Sequence, residues 1–211
     1  KDEYKVDSTT ITSIHRTHDL DAEGVKSLTQ HWSAGGYAGL YSSRYRNIRI
    51  SYRMAPAVEY NIFPFTEATT RQLTFQYRMQ FEHNFYKDTT IYNKLEQKVL
   101  QQSIEVDYEI TKPWGSVDAG ADYSHYLHDL SKQRLDFFGS VSLQLIKGLS
   151  VYCYSRFSFI HNQISLPKGD ATREEVLTRQ QQLATNYSYH AGFGISYTFG
   201  SMYNNIVSQR F

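Results

Sequence analysis

Apolar and polar residues alternate along most of this chain, and the alternation has the two-residue period of a β-strand. Over 71–85 one phase reads Leu73, Phe75, Tyr77, Met79 and Phe81; the other reads Gln72, Thr74, Gln76, Arg78, Gln80 and Glu82. Over 102–110 Ile104, Val106, Tyr108 and Ile110 are separated by Glu105, Asp107 and Glu109. Over 135–145 the apolar phase is Leu135, Phe137, Val141, Leu143 and Leu145. Over 183–199 Tyr187, Tyr189, Phe193, Ile195, Tyr197 and Phe199 oppose Asn186, Ser188, His190, Gly192, Gly194, Ser196 and Thr198. Slipping such a strand by one residue would turn its apolar set to the wrong side, so each segment fixes its own orientation.

Read this way, the chain predicts about nine strands, over 6–18, 32–44, 48–61, 71–86, 91–112, 116–128, 134–146, 149–163 and 183–200. Tight turns are expected at Pro113-Trp114-Gly115-Ser116, at Lys147-Gly148, near Thr29-Gln30 and around Pro64. Longer polar connections are expected at 87–90, 128–134 and 165–182. The two kinds fall roughly in alternation, as in an up-and-down barrel with short turns at one end and longer loops at the other. The polar run 92–102 is expected to continue its strand beyond the apolar zone. Bacterial single-chain barrels carry an even strand count, so nine points to further strands on the N-terminal side, or else to a strand merged or split in this count. No linker separates two domains, and 1–200 is read as one barrel with 201–211 as a C-terminal periplasmic tail.

Composition sharpens the fold class. Eighteen Tyr and 12 Phe make the chain 15% aromatic, yet its mean hydropathy is −0.54. An outer face against lipid and an inner face against water account for both values. No apolar run approaches the ~20 residues of a spanning helix, so a membrane crossing requires a closed sheet in which every backbone polar group is paired. A soluble β-sandwich or lipocalin-like barrel fits less well. The apolar phases carry aromatics toward the strand ends, where girdles at the bilayer interfaces would sit, and the opposite phases offer no second apolar face for a sandwich core. The last strand is rich in glycine and aromatics, and Phe211 ends the chain. The expected fold is an all-β, antiparallel, up-and-down transmembrane β-barrel. No secretory signal is visible at Lys1: either the mature form begins there or sequence precedes it.

Charge is balanced, with 22 Lys+Arg against 21 Asp+Glu, which argues against a nucleic-acid partner. The interior phase holds Arg49, Arg53, Glu59, Arg78, Glu82, Glu105, Asp107, Glu109, Asp118, Asp122, Asp136 and Arg156. Most basic members fall on the third and fourth predicted strands and most acidic ones on the fifth to seventh. One reading is a transverse field across a water-filled pore; the other is charges that pair across the lumen and plug it. The loop 166–182, with a Pro-Lys-Gly-Asp turn followed by a charged stretch, is read chiefly as a solvated connection, with partner binding or pore constriction as the other readings.

The remaining chemistry is sparse. His15 and His18, and His125 and His128, are three apart, which on a strand places them on opposite faces, so no metal site is expected. Ser188 and His190 share the interior phase, away from the lipid a hydrolase would attack. His83 and His125 fall in the lipid-facing phase as interface residues. Cys153, the single cysteine, excludes an internal disulfide and reads as a small, inert lipid-facing residue. No phosphate loop or nucleophile elbow is present; no catalytic residue and no cofactor are expected.

Three C-terminal segments carry a resemblance: KPWGSVDAGADYSHYLHDLSKQRLDFFG from Lys112, ISLPKGDATREEVLTRQQQLAT from Ile164 and ISYTFGSMYNNIVSQRF from Ile195. They resemble an uncharacterised outer-membrane barrel family of Bacteroides-type Gram-negative bacteria whose members end in Y-T-F-G-S-x-Y-N-N-x-V-x-x-R-F, a pattern that 197–211 follows. The similarity reaches loosely back to about Thr9. It implies a cell outer membrane location and a C-terminal piece of a barrel of about twelve strands; it carries no activity to transfer. Outer-membrane lipid and lipopolysaccharide, the barrel-assembly machinery during insertion and other envelope proteins are the expected partners. A structural or partner-binding barrel is the leading functional expectation, a narrow passive channel for small polar solutes the alternative, and a lipid-modifying enzyme a distant third.

Overall fold

The computed structural model describes residues 16–169 and 182–198 in full, and the backbone of 2–6 and 9–13. Eleven strands form: β1 (Asp2–Val6), β2 (Thr9–Ser13), β3 (Thr17–Ser27), β4 (Trp32–Ser43), β5 (Ile48–Asn61), β6 (Arg71–Tyr86), β7 (Glu96–Lys112), β8 (Gly115–Tyr126), β9 (Asp129–Ile146), β10 (Leu149–Ile160) and β11 (Tyr187–Tyr197). β1 and β2 pair as a separate hairpin, while β3 to β11 make one nine-stranded sheet. Every strand of that sheet pairs antiparallel with its chain neighbours, in chain order from β3 at one edge to β11 at the other. A 3-10 turn at Phe65–Glu67 is the only helical element among the described residues.

The all-β, up-and-down order agrees with the alternation in the sequence; several boundaries differ. The first strand of the sheet is 17–27, not 6–18, and 9–13 belongs to the separate hairpin. THDLDAEGVKS has three acidic residues and a glycine, a composition poor in β-propensity, so local pattern does not reveal it. It is a strand because the β4 edge supplies partners for all eleven of its residues. The predicted loop 128–134 is instead strand: β9 starts at Asp129, and only Leu127 and His128 connect it to β8. Arg134 opposes Ser124 and Gln133 opposes His125, so this polar stretch is held by its ladder rather than by hydrophobicity. Conversely β7 begins at Glu96, and 92–95 belongs to the loop before it. β10 ends at Ile160, short of 163, and β11 spans 187–197. Residues 199–211, with the predicted tail and the motif ending at Phe211, lie outside the described residues.

Register sorts the side chains into two faces. Directly opposed residues point the same way, so Trp32, Tyr60, Phe75, Val106, Ala121, Phe137, Phe157 and Tyr189 form one cross-strand row. Tyr77, Ile104, Tyr123, Leu135, Phe159 and Tyr187 form another. This apolar face is the exposed one: Met54 is 64% exposed and Phe193 70%. The polar face is the sheltered one, with Ser51, Asn84, Ser124 and Ser158 buried although no second sheet packs on them among the described residues. Curvature explains the shelter. Six successive strands, β4 to β9, contribute Tyr41, Ser51, Glu82, Gln101, Tyr126 and Arg134 to a single hollow of about 220 Å³. Laid flat, six strands at ~4.8 Å spacing would spread over ~24 Å. The sheet is therefore curled, with its polar face inside.

Small residues make the curl possible. On the concave face Phe138 lies across Gly120, Tyr152 across Gly194 and Tyr154 across Gly192, each ring over the glycine it opposes in register. A side chain on any of these glycines would occupy the volume its aromatic partner fills. On the other face Pro56 sits in the middle of β5, where the β5–β6 ladder is interrupted between Met54 and Ala57; proline has no N–H to donate there.

Gly120→Val tests this packing. A Cβ there collides with the Phe138 ring and comes within 2.6 Å of Asp107 Oδ1. The expected result is a loss of about 1–3 kcal/mol in denaturant unfolding followed by tryptophan fluorescence; unchanged stability would mean that Phe138 does not depend on the gap.

Candidate functional site

The concave face is where ionisable side chains collect. Eleven of the twelve charged residues predicted to share the interior phase do share this face: Arg53, Glu59, Arg78, Glu82, Glu105, Asp107, Glu109, Asp118, Asp122, Asp136 and Arg156. Arg49 does not join them. It sits in a bulge between Ile48 and Ile50 and its guanidinium lies 5.7 Å from the Phe85 ring centroid, on the apolar side. A bulge inserts one residue into the alternation, and nothing in the local pattern marks where that happens. The sequence reading misses Asp19, Asp21 and Glu23, because it ends the first strand at 18, and Arg134, which stands at the shared end of the predicted connection 128–134 and strand 134–146.

The arginines are held by neighbours on adjacent and next-nearest strands. Arg53 on β5 reaches over β4 to Asp19 (2.6 Å) and Asp21 (3.1 Å) on β3. It crosses at Gly39, where a Cβ would collide with the Asp21 carboxylate. Arg78 on β6 pairs with Glu105 on β7 at 3.0 Å, donates to Gln76, and lies 4.9 Å from the Tyr37 ring on β4. The small side chains of Ala55 and Ala57 leave the space above β5 that Tyr37 and Arg78 share. Arg134 pairs with Asp136, which also accepts from Ser158 Oγ. Glu59 accepts from Ser33 Oγ and Glu109 from Gln72. Asp107, Asp118 and Asp122 have no ion pair among the described residues, so β7 and β8 present an acidic wall. Charges thus segregate as the sequence suggested, but three of the four arginines on this face are already paired.

One end of the concave face is crossed by chain. After β10, 161–169 turns inward instead of projecting into solvent. His161 N–H donates to Gln133 O, Ile91 N–H to Leu166 O and Lys168 N–H to Thr89 O. Asn47 anchors the strap through Nδ2, which donates to both Asp88 O (2.8 Å) and Ser165 O (3.0 Å), while its Oδ1 accepts from Asp88 N–H. Ile164 packs with Val99 and Tyr126 in a small apolar cluster, and Leu166 is buried as well. For its first part, then, the expected solvated connection is a folded strap; 170–181 lies outside the described residues.

Cys153, His83, His125, Ser188 and His190 fall on the faces their phases predicted, whereas His128 lies in the β8–β9 turn rather than on a strand, and His15 lies outside the described residues. Cys153 lies on the apolar face between Val141 and Phe193. His83 stacks on Phe85 at 4.4 Å and contacts Glu96 at 2.6 Å, and His125 contacts Gln102 at 2.8 Å; both are on the apolar face. His190 and Ser188 share the concave face, His190 meeting Tyr154 Oη at 3.3 Å and no nucleophile. No group of metal-ligating residues is assembled among the described residues.

Two predictions follow from these contacts. In a double-mutant cycle with Arg78→Met and Glu105→Gln, side chains about a quarter exposed, coupling of about 1 kcal/mol or more is expected. The exposed Arg71–Glu67 pair should give about 0–0.5 kcal/mol; equal couplings would show that the interior pair is no better shielded. Asn47→Gly keeps the positive φ of 58° while removing the strap's anchor. It should raise the rate of proteolytic cleavage within 161–169 about tenfold, equivalent to ~1.4 kcal/mol of local opening.

No protein family, curated protein or solved structure matches this chain, and the resemblance in its C-terminal half stands on the sequence alone.

Proposed function

We propose that this chain is a β-barrel protein of a bacterial outer membrane with a structural or partner-binding role. The observation that carries the membrane reading is the inverted sidedness of the sheet: apolar side chains exposed, polar ones sheltered. From Tyr52 to Tyr60 the apolar phase of β5 covers nine residues, close to the ~9–11 that a tilted strand needs to cross a bilayer. Eight steps of ~3.3 Å make this a band of ~26 Å, and eight strand spacings of ~4.8 Å give it a width of ~38 Å. The resulting ~1,000 Å² exceeds the ~300–600 Å² of the largest apolar patch on an ordinary soluble monomer. Aromatic rings gather at both ends of this band, Trp32 against Tyr60 at one and Tyr52 against Phe85 at the other, as amphipathic rings do at the two interfaces of a bilayer. Closure of the sheet, by about twelve strands, belongs to this proposal.

The structural role is supported by what crosses the concave face: paired arginines and an anchored strap, leaving the loops to meet envelope partners. A narrow channel for small polar solutes is the second reading, favoured by Asp107, Asp118 and Asp122 on β7 and β8, which have no ion pair among the described residues.

Two measurements test this. Trp32 and Trp114 both lie at the same end of the strands, so in vesicles their fluorescence should be quenched more by lipid brominated near the headgroup than at the chain terminus. Absence of quenching by either lipid would remove the membrane reading. With insertion established, a planar bilayer should stay electrically silent; steady cation-selective openings would replace the structural role with the channel.

A further inference from the structure

We infer that the concave face carries a passage for small cations, running along β5 and closed at one end by the strap. The inference deepens the barrel reading above and rests on it. Three hollows follow one another along β5. The first, of about 220 Å³, is lined at Ser51 and Arg53; the second, of about 410 Å³, at Arg53 and Ala55; the third, of about 320 Å³, at Ala57 and Glu59. They adjoin, because Arg53 borders the first and second and Tyr37 the second and third. From Ser51 to Glu59 the backbone advances eight steps of ~3.3 Å, ~26 Å in all. Over the same stretch Tyr52 to Tyr60 make the outward apolar band. The row therefore spans the depth of that band, and it stays unfilled between Arg53 and Glu59 because the interior side chains there are Ala55 and Ala57.

Charge selects the solute. Along the row Arg53 is neutralised by Asp19 and Asp21, Arg78 by Glu105 and Arg134 by Asp136. At the strap end Arg46 and Glu82 line the same hollow and offset each other. Farther in, Glu23 borders the second and third hollows and Glu59 the third, and neither has an ion pair among the described residues. Carboxylates without a counter-charge draw cations into the row and repel anions, more strongly where the walls exclude water.

The strap shuts the row at its first hollow. Asn162, Gln163 and Ile164 line that hollow and neither of the others. Hydrogen bonds tie 161–169 to the Asn47 side chain, to the β6–β7 loop and to Leu183 and Thr185. Among the described residues a single one, from His161 N–H to Gln133 O, reaches a strand. Ile164, packed with Val99 and Tyr126, is the apolar latch. The strap can therefore swing away without breaking a ladder of the sheet, as the least stable units of a fold do.

The test is reversal-potential recording of the full chain in planar bilayers under a potassium chloride gradient, with insertion read separately by the brominated lipids. The unaltered chain is expected to be silent. Asn47→Gly combined with Ile164→Ser, both outside the strands, should give openings that favour potassium over chloride about fivefold or more. Adding Glu59→Gln should lower that preference about twofold. Folding of each variant is checked by tryptophan fluorescence, and strap release by faster cleavage within 161–169. Should the double variant not fold, Asn47→Gly alone is the milder release, expected to give brief openings of the same selectivity. Silence from a folded, inserted chain whose strap is cleaved faster would overturn the passage. So would chloride preference, a preference that Glu59→Gln leaves unchanged, or equal conductance in the unaltered chain. Absence of quenching would instead withdraw the barrel reading, and the passage with it.

Discussion

Successive side chains of a pleated strand point to opposite sides, and hydrogen-bonded ladders carry that alternation unchanged from β3 to β11. The rest of the structure depends on this constraint. Once Tyr60 opposes Trp32 and Phe75 opposes Tyr60, every apolar phase is committed to one face and every polar phase to the other. A slip of one residue between β6 and β7 would set Glu105 against Phe75 or Tyr77 in place of Gln76. The four register shifts, at the β4–β5, β5–β6, β8–β9 and β9–β10 pairings, lie near the strand ends, where the change of phase is confined to a few residues.

Sidedness alone would give a flat sheet with a polar surface. Curling brings that surface onto itself, and the gaps left by Gly39, Gly120, Gly192 and Gly194 receive long side chains from the neighbouring strands. The concave face therefore works as a packed polar layer. Arg53 and Arg78 each bridge strands through carboxylates, and the alanines of β5 keep the space above them open. Partly shielded pairs of this sort are strengthened by the lower local dielectric, and by the same token a lost partner is felt. Asp107, Asp118 and Asp122, which have no ion pair among the described residues, give the face an acidic side.

The strap joins the two levels of organisation. It pairs with backbone groups of the β6–β7 loop and of β9 and accepts from the Asn47 side chain of the β4–β5 turn, while Ile164 packs with Val99 and Tyr126. A segment anchored at so many separated points holds the curl at that end of the sheet, and the polar hollow beneath it is a consequence of the anchoring.

By itself the sequence determined the all-β, antiparallel up-and-down class, the order of strands, most of their bounds and the face on which each of Arg53, Glu59, Arg78, Glu105 and Asp107 lies, because period-two alternation is a local property that survives any tertiary arrangement. Tertiary structure decided what depends on a partner. β3 is a strand only because β4 offers it an edge, the start of β9 is a strand only because β8 holds it, and Arg49 leaves the interior because a bulge shifts its phase. The pairing of Arg53 with Asp19 and Asp21, and the inward fold of 161–169, join residues far apart in the chain. No periodicity encodes contacts that exist only after the sheet has curled.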